Sequence, residues 1–543
     1  MSDIAIGSFG RCRFVFSRSF RKRLQLVLIK ILESSTEKKI GRHLGSRRHL
    51  GFHQKNVFLS KFATTDFEFE SIIGKLRKNA LRYILNIRVS QSEMIIRSYL
   101  LLAGLAVTAR CILVKAQQYT LGKELKRVSQ WNSLDFVFSS PVERENALAT
   151  RRFIPENCVP LDMDVDYNSN LMRSRVFVTV PRFIEGIPAT LTTISSHVGA
   201  GGPLLEPYPN AAIQSNPEDS RCNGIVSVFR TMIDDCNRLW IADTGKIGDR
   251  RICLPKIVAF DLRTDQIIHR YEIPAAQLVC DLSLLVSILV DVRDPPPLGS
   301  CSRTMIYVAD VTGSGLIVYD MSRGKSWRVT NRLMNPNPDY GTFTIANESF
   351  DLMDGMLTMA LSPKIPASDF TFNSAYGSSN SFNSALFKDR LLFFHALASI
   401  SENAVRTSVL HNDTMWEQDV GAMPRAFRVI GRRTTQSAPE AMDSNGNLFF
   451  GLLSQTSIAC WDATTNYNPH NFRIVSQNLE TLQFPSGLKV IRNRKGIEEL
   501  WVLTCRFQKI MTGSLNFNET NFRIQAIQIP ELLDGARTCK GSR

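Results

Sequence analysis

Short apolar runs recur along the chain after residue 130, and each one follows a cluster of polar turn residues. The runs are rich in β-branched and aromatic residues, are about five residues long, and span 176–180, 239–242, 305–309, 391–394, 448–452 and 500–503. Runs of this length and composition between turn residues are typical of β-strands. Their spacing of about 52–86 residues predicts an all-β fold, a six-bladed β-propeller of four-stranded blades. A pair of β-sandwiches is the alternative, and six comparable units make it the less economical one.

The runs are mostly apolar on both faces, as expected for strands that pack between neighbouring blades. Asp243 and Asp310 each close such a run, and the pattern places both at the end of an inner strand. A tight-turn signal, Asp443-Ser-Asn-Gly-Asn447, precedes the fifth run and favours a hairpin. The widest spacing contains 367–387, which is rich in Ser, Asn and Phe and is interpreted as an inserted surface loop.

The net charge of +15 is concentrated in the N-terminal region. Residues 1–110 hold 21 of the 65 Lys and Arg residues but only 7 of the 50 Asp and Glu residues. The rest of the chain is therefore close to neutral, and it lacks the basic surface that nucleic acids require. We expect no nucleic-acid partner.

The N-terminal region contains a segment shaped like a secretory signal peptide. Met94 begins a short basic stretch, and 100–107 is apolar but too short to span a bilayer as a helix. Small residues at Ala109 and Ala116 suit cleavage by signal peptidase. We therefore predict an upstream extension at 1–93 outside the mature protein, a signal-peptide-like segment at 94–116, and a secreted propeller over 117–543 without a membrane anchor. The alternatives are an amphipathic basic helix over 78–110 of an intracellular leader and an organelle transit peptide in 1–50.

The cysteines agree with export. Nine of them follow the leader without a CxxC pair, which argues against a structural zinc site. In an oxidising compartment some would pair, and an odd number leaves at least one free. Cys222, Cys236 and Cys253 lie close in sequence, and we expect one bridge within this group. Three sequons could carry glycans on an exported chain; they begin at Asn347, Asn412 and Asn518.

About ten longer motifs occur in a fixed order between residues 130 and 540. They include Trp131-Asn-Ser-Leu-Asp-Phe136, Pro181-Arg-Phe-Ile-Glu-Gly-Ile-Pro188, Asp235-Cys-Asn-Arg-Leu-Trp-Ile-Ala-Asp-Thr-Gly245 and Ala309-Asp-Val-Thr-Gly-Ser-Gly-Leu-Ile-Val-Tyr-Asp320. In these motifs and their order the chain resembles the yellow/major royal jelly protein family of insects, over almost all of the presumed mature protein. The resemblance implies a secreted propeller, and it does not extend to 1–93.

The body of the chain carries few candidates for catalysis. Its histidines form no H-x-H or H-E-x-x-H pattern, and no phosphate loop or dinucleotide fingerprint is present, so we expect neither a metal nor a cofactor. His395 follows an apolar strand and either faces the central channel or is a satisfied structural histidine. Asp243 and Asp310 either line the channel as contacts for a cationic ligand or cap turns by accepting backbone N–H bonds.

The family resemblance implies a pocket for small aromatic amines where the inner strands converge on the axis. In some relatives a hydroxyl residue early in the last blade and a polar-x-Phe element contact the ligand, and the matching positions here are Ser486 and Cys505-Arg-Phe507. The ring of Phe507 suits an indole or catechol and attracts a cationic amine. Cys505 departs from the Asn or Asp that relatives generally have, and a thiol is a poor hydrogen-bonding substitute. Alternatively, Ser486 and Phe507 only complete the last blade.

Three functions stay open at this point. The first is a secreted protein that binds a small aromatic amine or catechol and is linked to pigmentation. The second is a tautomerase, since some family members are associated with dopachrome conversion; that reaction needs a positioned acid/base group, and nothing in the sequence selects among His395, Asp243 and Asp310. The third, implied by the royal jelly branch, is a nutritional or structural secreted protein, although the long repetitive tail expected for storage is absent. Fold resemblance does not separate the first two, because function resides in the site.

Overall fold

The computed structural model describes residues 121–167, 174–214, 222–363 and 389–540, together with the backbone of 4–9 and 12–17. The chain divides into two compact units, 1–116 and 117–543. In the first unit, β1 (Ile4–Phe9) and β2 (Cys12–Ser17) form an antiparallel hairpin. The segment predicted as signal-like at 94–116 lies outside the described residues.

The second unit is the predicted all-β six-bladed propeller, built from six antiparallel sheets. Two strands precede the blades in sequence, β3 (Leu121–Gly122) and β4 (Lys126–Trp131). Blade 1 contains β5 (Asp162–Asp166), β6 (Arg175–Thr179), β7 (Leu191–Gly199) and β8 (Gly202–Pro207). Blade 2 contains β9 (Val228–Ile233), β10 (Arg238–Asp243), β13 (Lys256–Asp261) and β14 (Gln266–Glu272). A separate short hairpin between its second and third strands contains β11 (Lys246–Ile247) and β12 (Arg250–Arg251). Blade 3 contains β15 (Leu285–Val292), β16 (Thr304–Asp310), β17 (Gly315–Asp320) and β18 (Lys325–Thr330).

A separate hairpin stands between blades 3 and 4 in sequence, formed by β19 (Thr342–Ile345) and β20 (Glu348–Asp351). Blade 4 contains β21 (Met356–Leu361), β22 (Leu391–Ala396), β23 (Ser401–Arg406) and β24 (Arg428–Arg432). Blade 5 contains β25 (Glu440–Met442), β26 (Asn447–Leu452), β27 (Ser457–Asp462) and β28 (Phe472–Gln477). Blade 6 contains β29 (Pro485–Arg492), β30 (Glu498–Cys505) and β31 (Phe522–Gln528).

The α-helices in the described parts of the chain are short. Four lie between strands, α1 (Pro141–Ala149), α2 (Thr407–Leu410), α3 (Asp413–Gln418) and α4 (Phe507–Met511), and α5 (Ile529–Leu532) follows the last strand. α1 begins where the Ser140 side chain accepts the Glu143 N–H and a proline occupies the first turn, both standard start signals. No helix in the described ranges is both long and apolar enough to cross a membrane.

The N-terminal strands complete the last two blades. β4 pairs antiparallel with β31 as the outer strand of blade 6, with Trp131 opposite Phe522. β3 pairs with β28 and adds a fifth strand to blade 5. The ring is therefore closed by hydrogen bonds between the beginning and the end of the propeller sequence.

The first strand of each blade lies innermost. Successive first strands lie side by side, and β29 lies beside β5, so these six strands surround a central channel. They run in one direction, because each blade starts at the channel and proceeds outward. The channel therefore has one end formed by the amino-terminal ends of the inner strands and another formed by their carboxyl-terminal ends.

The six apolar runs in the sequence are the second strands, so the expectation that Asp243 and Asp310 end inner strands is wrong. A second strand has a strand on each edge and a blade on each face, and β10 and β16 are buried at every residue. In an inner strand, by contrast, apolar and polar side chains alternate between the two faces. In β5, Met163 and Val165 join a hydrophobic cluster, whereas Asp162 and the other two aspartates project from the opposite face.

The disulfides follow the expectation in part. Cys222 pairs with Cys253, which confirms one bridge within the group of three. Cys236 instead pairs with Cys301 and ties blade 2 to blade 3. A third bridge, Cys460–Cys539, connects the C-terminal segment to blade 5, and Cys158, Cys280 and Cys505 have no disulfide partner within the described ranges.

Two local predictions concern connections within blades. The turn signal before the fifth run does form a hairpin between β25 and β26, with Gly446 at φ 82° and Asp443 accepting the Asn445 N–H. The loop predicted at 367–387 lies outside the described residues. The strands on either side of it, β21 and β22, are paired neighbours in blade 4.

Candidate functional site

The inner strands enclose a cavity of about 550 Å3 at their carboxyl-terminal ends. Every inner strand contributes to its wall; one such residue from each is Asp164, Arg230, Ser287, Thr358, Glu440 and Lys489. A cavity of this volume is the size of a small-molecule site. Its wall carries groups of both charges.

The wall formed by blades 1, 2 and 6 contains an ion network. Lys489 Nζ lies 3.1 Å from Asp162 Oδ2, and Arg230 Nη1 donates to the Ser486 carbonyl at 2.6 Å. The Thr231 N–H donates to Asp162 Oδ2 at 3.0 Å. These contacts hold one lysine and one arginine in fixed positions on the channel.

Asp164 is a buried carboxyl group in the same wall. Its Oδ1 accepts the Val165 N–H at 2.8 Å, and its Oδ2 accepts the Ile233 N–H at 2.8 Å. Burial raises the pKa of Asp164 to about 6, although Lys489 opposes the shift. Since both oxygens bond backbone N–H groups, this carboxyl joins the inner strands of blades 1 and 2.

Glu440 differs from Asp164 in having no such bonds. Glu440 belongs to the cavity-lining strand β25, but its side chain is fully buried and its carboxyl points away from the cavity space. Among the described residues neither carboxyl oxygen has a hydrogen-bond partner, although Oε2 lies 3.2 Å from His395 Nδ1. Burial, reinforced by the nearby Glu402, raises the pKa of Glu440 to about 7. The carboxyl is therefore able to take up and release a proton near neutral pH.

His395 lies behind Glu440 on β22 and is fully buried. Its Nε2 lies 3.1 Å from the Ser437 carbonyl, and its Nδ1 lies 3.0 Å from Glu402 Oε2. Because a carbonyl only accepts, Nε2 carries a proton. Burial and Arg433 lower the pKa of His395, but the carboxylates of Glu402 and Glu440 outweigh them, and the net pKa is raised. The two carboxylates thus favour the imidazolium form.

Arg433 completes this buried cluster. One donor atom each from His395, Glu402 and Glu440 lies within 4.8 Å of the others, a spacing that suits a metal ion. Arg433 Nη1, however, bonds Glu402 Oε2 and lies 3.3 Å from His395 Nδ1 and from the Tyr467 hydroxyl. A side-chain cation therefore already balances the carboxylates, and we interpret the cluster as an ion network rather than a metal centre.

Asp243 and Asp310 are buried away from the cavity wall. Asp243 accepts the Val226 N–H at 2.9 Å and the Ser227 N–H at 2.8 Å. Asp310 accepts the Leu284 N–H at 2.9 Å and is paired with an arginine. Both carboxylates thus bond backbone groups at the entry to an inner strand, the arrangement of the turn-cap alternative.

Ser486 and Cys505 lie at the amino-terminal end of the inner strand of blade 6, and neither lines the cavity. Both are fully buried. Burial raises the pKa of the free Cys505 thiol to about 12, although a hydrogen bond with Ser486 opposes the shift. The structure therefore places these two residues together, and it places them apart from Glu440.

Phe507 follows Cys505 at the start of α4 and is half-buried. Its ring stacks on Phe484 with centroids 4.7 Å apart and meets the edge of Phe350 at 5.7 Å. Phe350 belongs to the β19–β20 hairpin, which is joined to α4 by a 2.8 Å bond from Lys509 Nζ to Glu348 Oε1. The amino-terminal end of the channel is thus covered by an aromatic cluster.

The three sequon asparagines are all exposed. Asn347 lies at the turn of the β19–β20 hairpin, Asn412 precedes α3, and Asn518 lies in the connection after α4. Each side chain is accessible to a glycosylating enzyme, and attachment of glycans there stays a prediction.

These features define the class of protein as a six-bladed propeller with a charged, small-molecule-sized cavity on its axis. Its sequence matches the family model described as major royal jelly protein over residues 226–383 and 369–538. The chain belongs to the yellow/major royal jelly protein family, as its ordered motifs predicted.

Three similar proteins show how far the match extends. The chain is 32% identical over 422 residues to a dopaminechrome tautomerase of Drosophila melanogaster, and this match covers 76% of the chain and 83% of that protein. It is 33% identical over 414 residues to major royal jelly protein 9 of Apis mellifera, covering 74% and 88%. It is 32% identical over 420 residues to protein yellow of Drosophila subobscura, covering 76% and 66%.

Sequence reasoning singled out His395 but missed Glu402, Arg433 and Glu440. These residues come from separate strands and connections, and only the register of blades 4 and 5 brings them together. One signal was available, since Glu402 stands inside a strand-like stretch, and a charge within a buried strand requires a partner.

Proposed function

We propose that this chain is an extracellular protein with a pigmentation-related role that binds a small aromatic amine or catechol-derived compound in its central channel. Two of its relatives carry names connected with pigment chemistry, a dopaminechrome tautomerase and protein yellow. The observation that carries the ligand proposal is the cavity at the carboxyl-terminal ends of the inner strands. A storage role would leave this cavity without a purpose.

The chemistry of the cavity wall fits such a ligand. A protonated aromatic amine needs a carboxylate, and a catechol or quinone needs donors for its ring oxygens. Asp164 supplies a carboxyl group and Lys489 supplies a fixed cation, both in the wall formed by blades 1, 2 and 6. A small ligand that carries an ammonium group and an anionic oxygen therefore has a partner for each group on one wall of the cavity.

An extracellular location is supported by the cysteine chemistry. Three disulfides, each between residues distant in sequence, form and persist in an oxidising compartment. The exposure of all three sequon asparagines is compatible with passage through the secretory pathway.

The amino-terminal end of the channel is a second candidate binding site for the same class of ligand. Phe507, which stacks on Phe484, offers an aromatic face, and Ser486 offers a hydroxyl group. A ligand there would have to displace part of the aromatic cluster under the β19–β20 hairpin. The cavity at the carboxyl-terminal end is open to a ligand without such a rearrangement.

Calorimetric titration with dopamine, serotonin and dopa tests the binding proposal. We expect saturable binding of at least one of them to the mature protein. Lys489→Met removes the fixed cation from the cavity and should weaken the binding of dopa, whose carboxylate it would face, more than that of dopamine. Absence of binding by all three compounds and by dopaminechrome would contradict the proposal.

Tautomerisation of a quinone is the second candidate function. The observations that favour it are the similarity to a dopaminechrome tautomerase and the cavity-wall carboxyl of Asp164, whose pKa burial raises to about 6. Binding and tautomerisation share the first step, and they differ in whether a group of the wall moves protons on the ligand.

A further inference from the structure

The cavity wall changes character between the middle of the channel and its carboxyl-terminal mouth. Alternate residues of a strand point to the same face, and on the inner strands of blades 2 and 6 a cation is followed two positions later by an apolar residue. These pairs are Arg230 with Met232 and Lys489 with Ile491, and all four residues line the cavity. The wall therefore has a deep layer of cations and an outer layer of apolar side chains nearer the mouth.

Arg230 is a buried guanidinium with one end open to the cavity. Its Nη1 donates to the Ser486 carbonyl at 2.6 Å, its Nε is buried without a partner, and its Nη2 bonds no other described residue. The side chain is 9% exposed, and Arg230 lines the cavity. Because Nη2 is neither bonded nor enclosed, it is the donor that the guanidinium presents to a ligand.

Arg230 and Lys489 flank the same carboxylate. Asp162 Oδ2 lies 3.1 Å from Lys489 Nζ, and Asp162 Oδ1 lies 3.7 Å from Arg230 Nη1 without forming a hydrogen bond. Lys489 Nζ also donates to the Thr231 carbonyl, and the lysine side chain is 19% exposed. Two cations thus share one counter-charge, and one N–H of the lysine stays available to a ligand.

The positive charge of this layer is incompletely balanced. Burial lowers the pKa of Arg230, and the attraction of Asp162 does not fully offset the effect. The neighbouring Asp164 does not supply the missing charge, because both of its carboxyl oxygens accept backbone N–H groups. A buried cation without a full partner costs free energy, so an anion that enters the cavity is stabilised here.

We propose that Arg230 and Lys489 form a carboxylate-binding subsite in the deep layer of the cavity, and that the ligand of this cavity is an aromatic carboxylate rather than a simple amine. The inference rests on the proposed binding of a catechol-derived compound in the channel, and it names the group of that compound which the protein recognises. A planar guanidinium beside an ammonium suits the two oxygens of one carboxylate. The outer layer, with Met232 and Ile491, suits the ring.

The charges of this wall discriminate between classes of ligand. The ammonium of a simple aromatic amine would meet Arg230 and Lys489, and like charges repel strongly where water is excluded. A dianion such as a phosphate monoester would exceed the unbalanced positive charge and would meet the carboxylates of Asp162 and Asp164. A monoanion balances the wall, so a carboxylate is the group that fits.

Catechols that share a ring and differ in their side chain test the subsite. The probes are 4-methylcatechol, which is uncharged, dopamine, which carries an ammonium, dihydrocaffeate, which carries a carboxylate, and dopa, which carries both. In calorimetric titration of the mature protein we expect dihydrocaffeate to bind at least about 10-fold more tightly than 4-methylcatechol, the effect of a charge-assisted hydrogen bond. Dopa should bind more tightly than dopamine, and dopamine no more tightly than 4-methylcatechol.

Arg230→Met keeps the apolar stem of the side chain and removes the charge. We expect the advantage of dihydrocaffeate over 4-methylcatechol to fall below about 3-fold in this variant, and Lys489→Met should lower the same ratio. A purely structural role for Arg230 would weaken both ligands alike and leave their ratio intact. Arg263→Met removes an arginine from the exposed turn between β13 and β14, and it should keep the wild-type ratio.

Thermal unfolding identifies any variant that fails to fold. If Arg230→Met fails, the ratio in Lys489→Met replaces it, and the wild-type ligand series is decisive by itself. Equal affinity of the wild type for dihydrocaffeate and 4-methylcatechol, tighter binding of dopamine than of dihydrocaffeate, or an unchanged ratio in the folded variant would overturn the inference while the binding of catechols holds. Failure of every catechol, serotonin and dopaminechrome to bind would instead contradict the proposed function itself.

Discussion

Glu440 Oε2 lies 3.2 Å from His395 Nδ1, and both side chains are withdrawn from bulk water. The contact joins the inner strand of blade 5 to the second strand of blade 4, so it crosses the boundary between two blades. Because the carboxyl is buried at this boundary, Glu440 affects how the stability of the propeller depends on pH.

The stability effect follows from the raised pKa of Glu440. An unfolded Glu releases its proton near pH 4.5, whereas burial in the native state raises the pKa to about 7. Between these values the native state binds more protons than the unfolded state, so the contribution of this carboxyl to stability is full below pH 4.5 and is lost as the pH rises through 7. Glu440→Gln removes the titration. As the pH rises from 4.5 to 8, we expect the free energy of unfolding of wild type to fall by roughly 2–3 kcal/mol relative to that of the variant.

Denaturant unfolding of both proteins across this pH range measures the difference. Glu417→Gln, on the exposed surface of α3, is the control and should show no such trend. A difference between Glu440→Gln and wild type that stays constant with pH would mean that the buried carboxyl keeps the same charge throughout.

The bridge between Cys236 and Cys301 should be the most informative disulfide to remove. It links blade 2 to blade 3 across a sequence separation of 65 residues. Cross-links that close long loops restrict the unfolded chain, and removal typically costs about 2–4 kcal/mol. We expect Cys236→Ser/Cys301→Ser to lower the free energy of unfolding by this amount. Cys280→Ser, at an exposed free cysteine, is the matched control and should be neutral; equal effects of the two changes would contradict the assigned pairing.

The structure limits how far the N-terminal part of the chain can be removed without damage to the propeller. Trp131 is fully buried, its indole N–H donates to the Pro203 carbonyl at 2.7 Å, and β4 supplies the outer strand of blade 6. A chain that begins near Gln117 or at Arg110 keeps this strand. A chain that begins at Asn132 exposes the edge of β31 and loses the indole, at a cost of about 3–5 kcal/mol or more.

N-terminal sequencing of secreted material determines where the mature chain begins. We expect a start near Gln117 or at Arg110, because the signal-like segment begins at Met94. Secreted protein that retains any part of 1–93 would remove the hypothesis of an internal start. Thermal unfolding of chains starting at Gln117 and at Asn132 measures the contribution of β4 separately.

The blades were predictable because their second strands carry an unambiguous signal. A strand enclosed on both faces is apolar at every position, as in 448–452, and six such runs at a similar spacing exclude most other folds. The inner strands were not recognised as such, because their side chains alternate between the core and the channel. In Asp162-Met-Asp-Val-Asp166 the aspartates mask a strand that is buried throughout.

The site was less predictable for a different reason. Glu402, Arg433 and Glu440 are separated by connections between strands, and no local sequence pattern predicts how these connections are shaped. His395 was noticed by residue type alone, and whether it faces the channel depends on the rotation of β22 in its sheet. Long-range register, rather than any motif, decides which of these groups meet.

The last prediction concerns the amino-terminal end of the channel, where Phe507 stacks on Phe484 and Ser486 lies next to Cys505. If an aromatic amine or catechol binds there, Phe507→Ala should weaken binding by roughly 2–3 kcal/mol through lost area and ring contact, and Ser486→Ala by about 1 kcal/mol. Because Cys505 is a free thiol rather than half of a disulfide, Cys505→Asn introduces the residue type that the family resemblance implies without leaving an unpaired cysteine, and it should tighten amine binding. Phe472→Ala, at a half-buried ring on β28 of blade 5, controls for loss of packing. Calorimetric titration with serotonin, dopamine and dopa locates the binding site. Unchanged affinity in folded Phe507→Ala, together with weakened affinity in Lys489→Met, would place the ligand in the cavity at the carboxyl-terminal end of the channel.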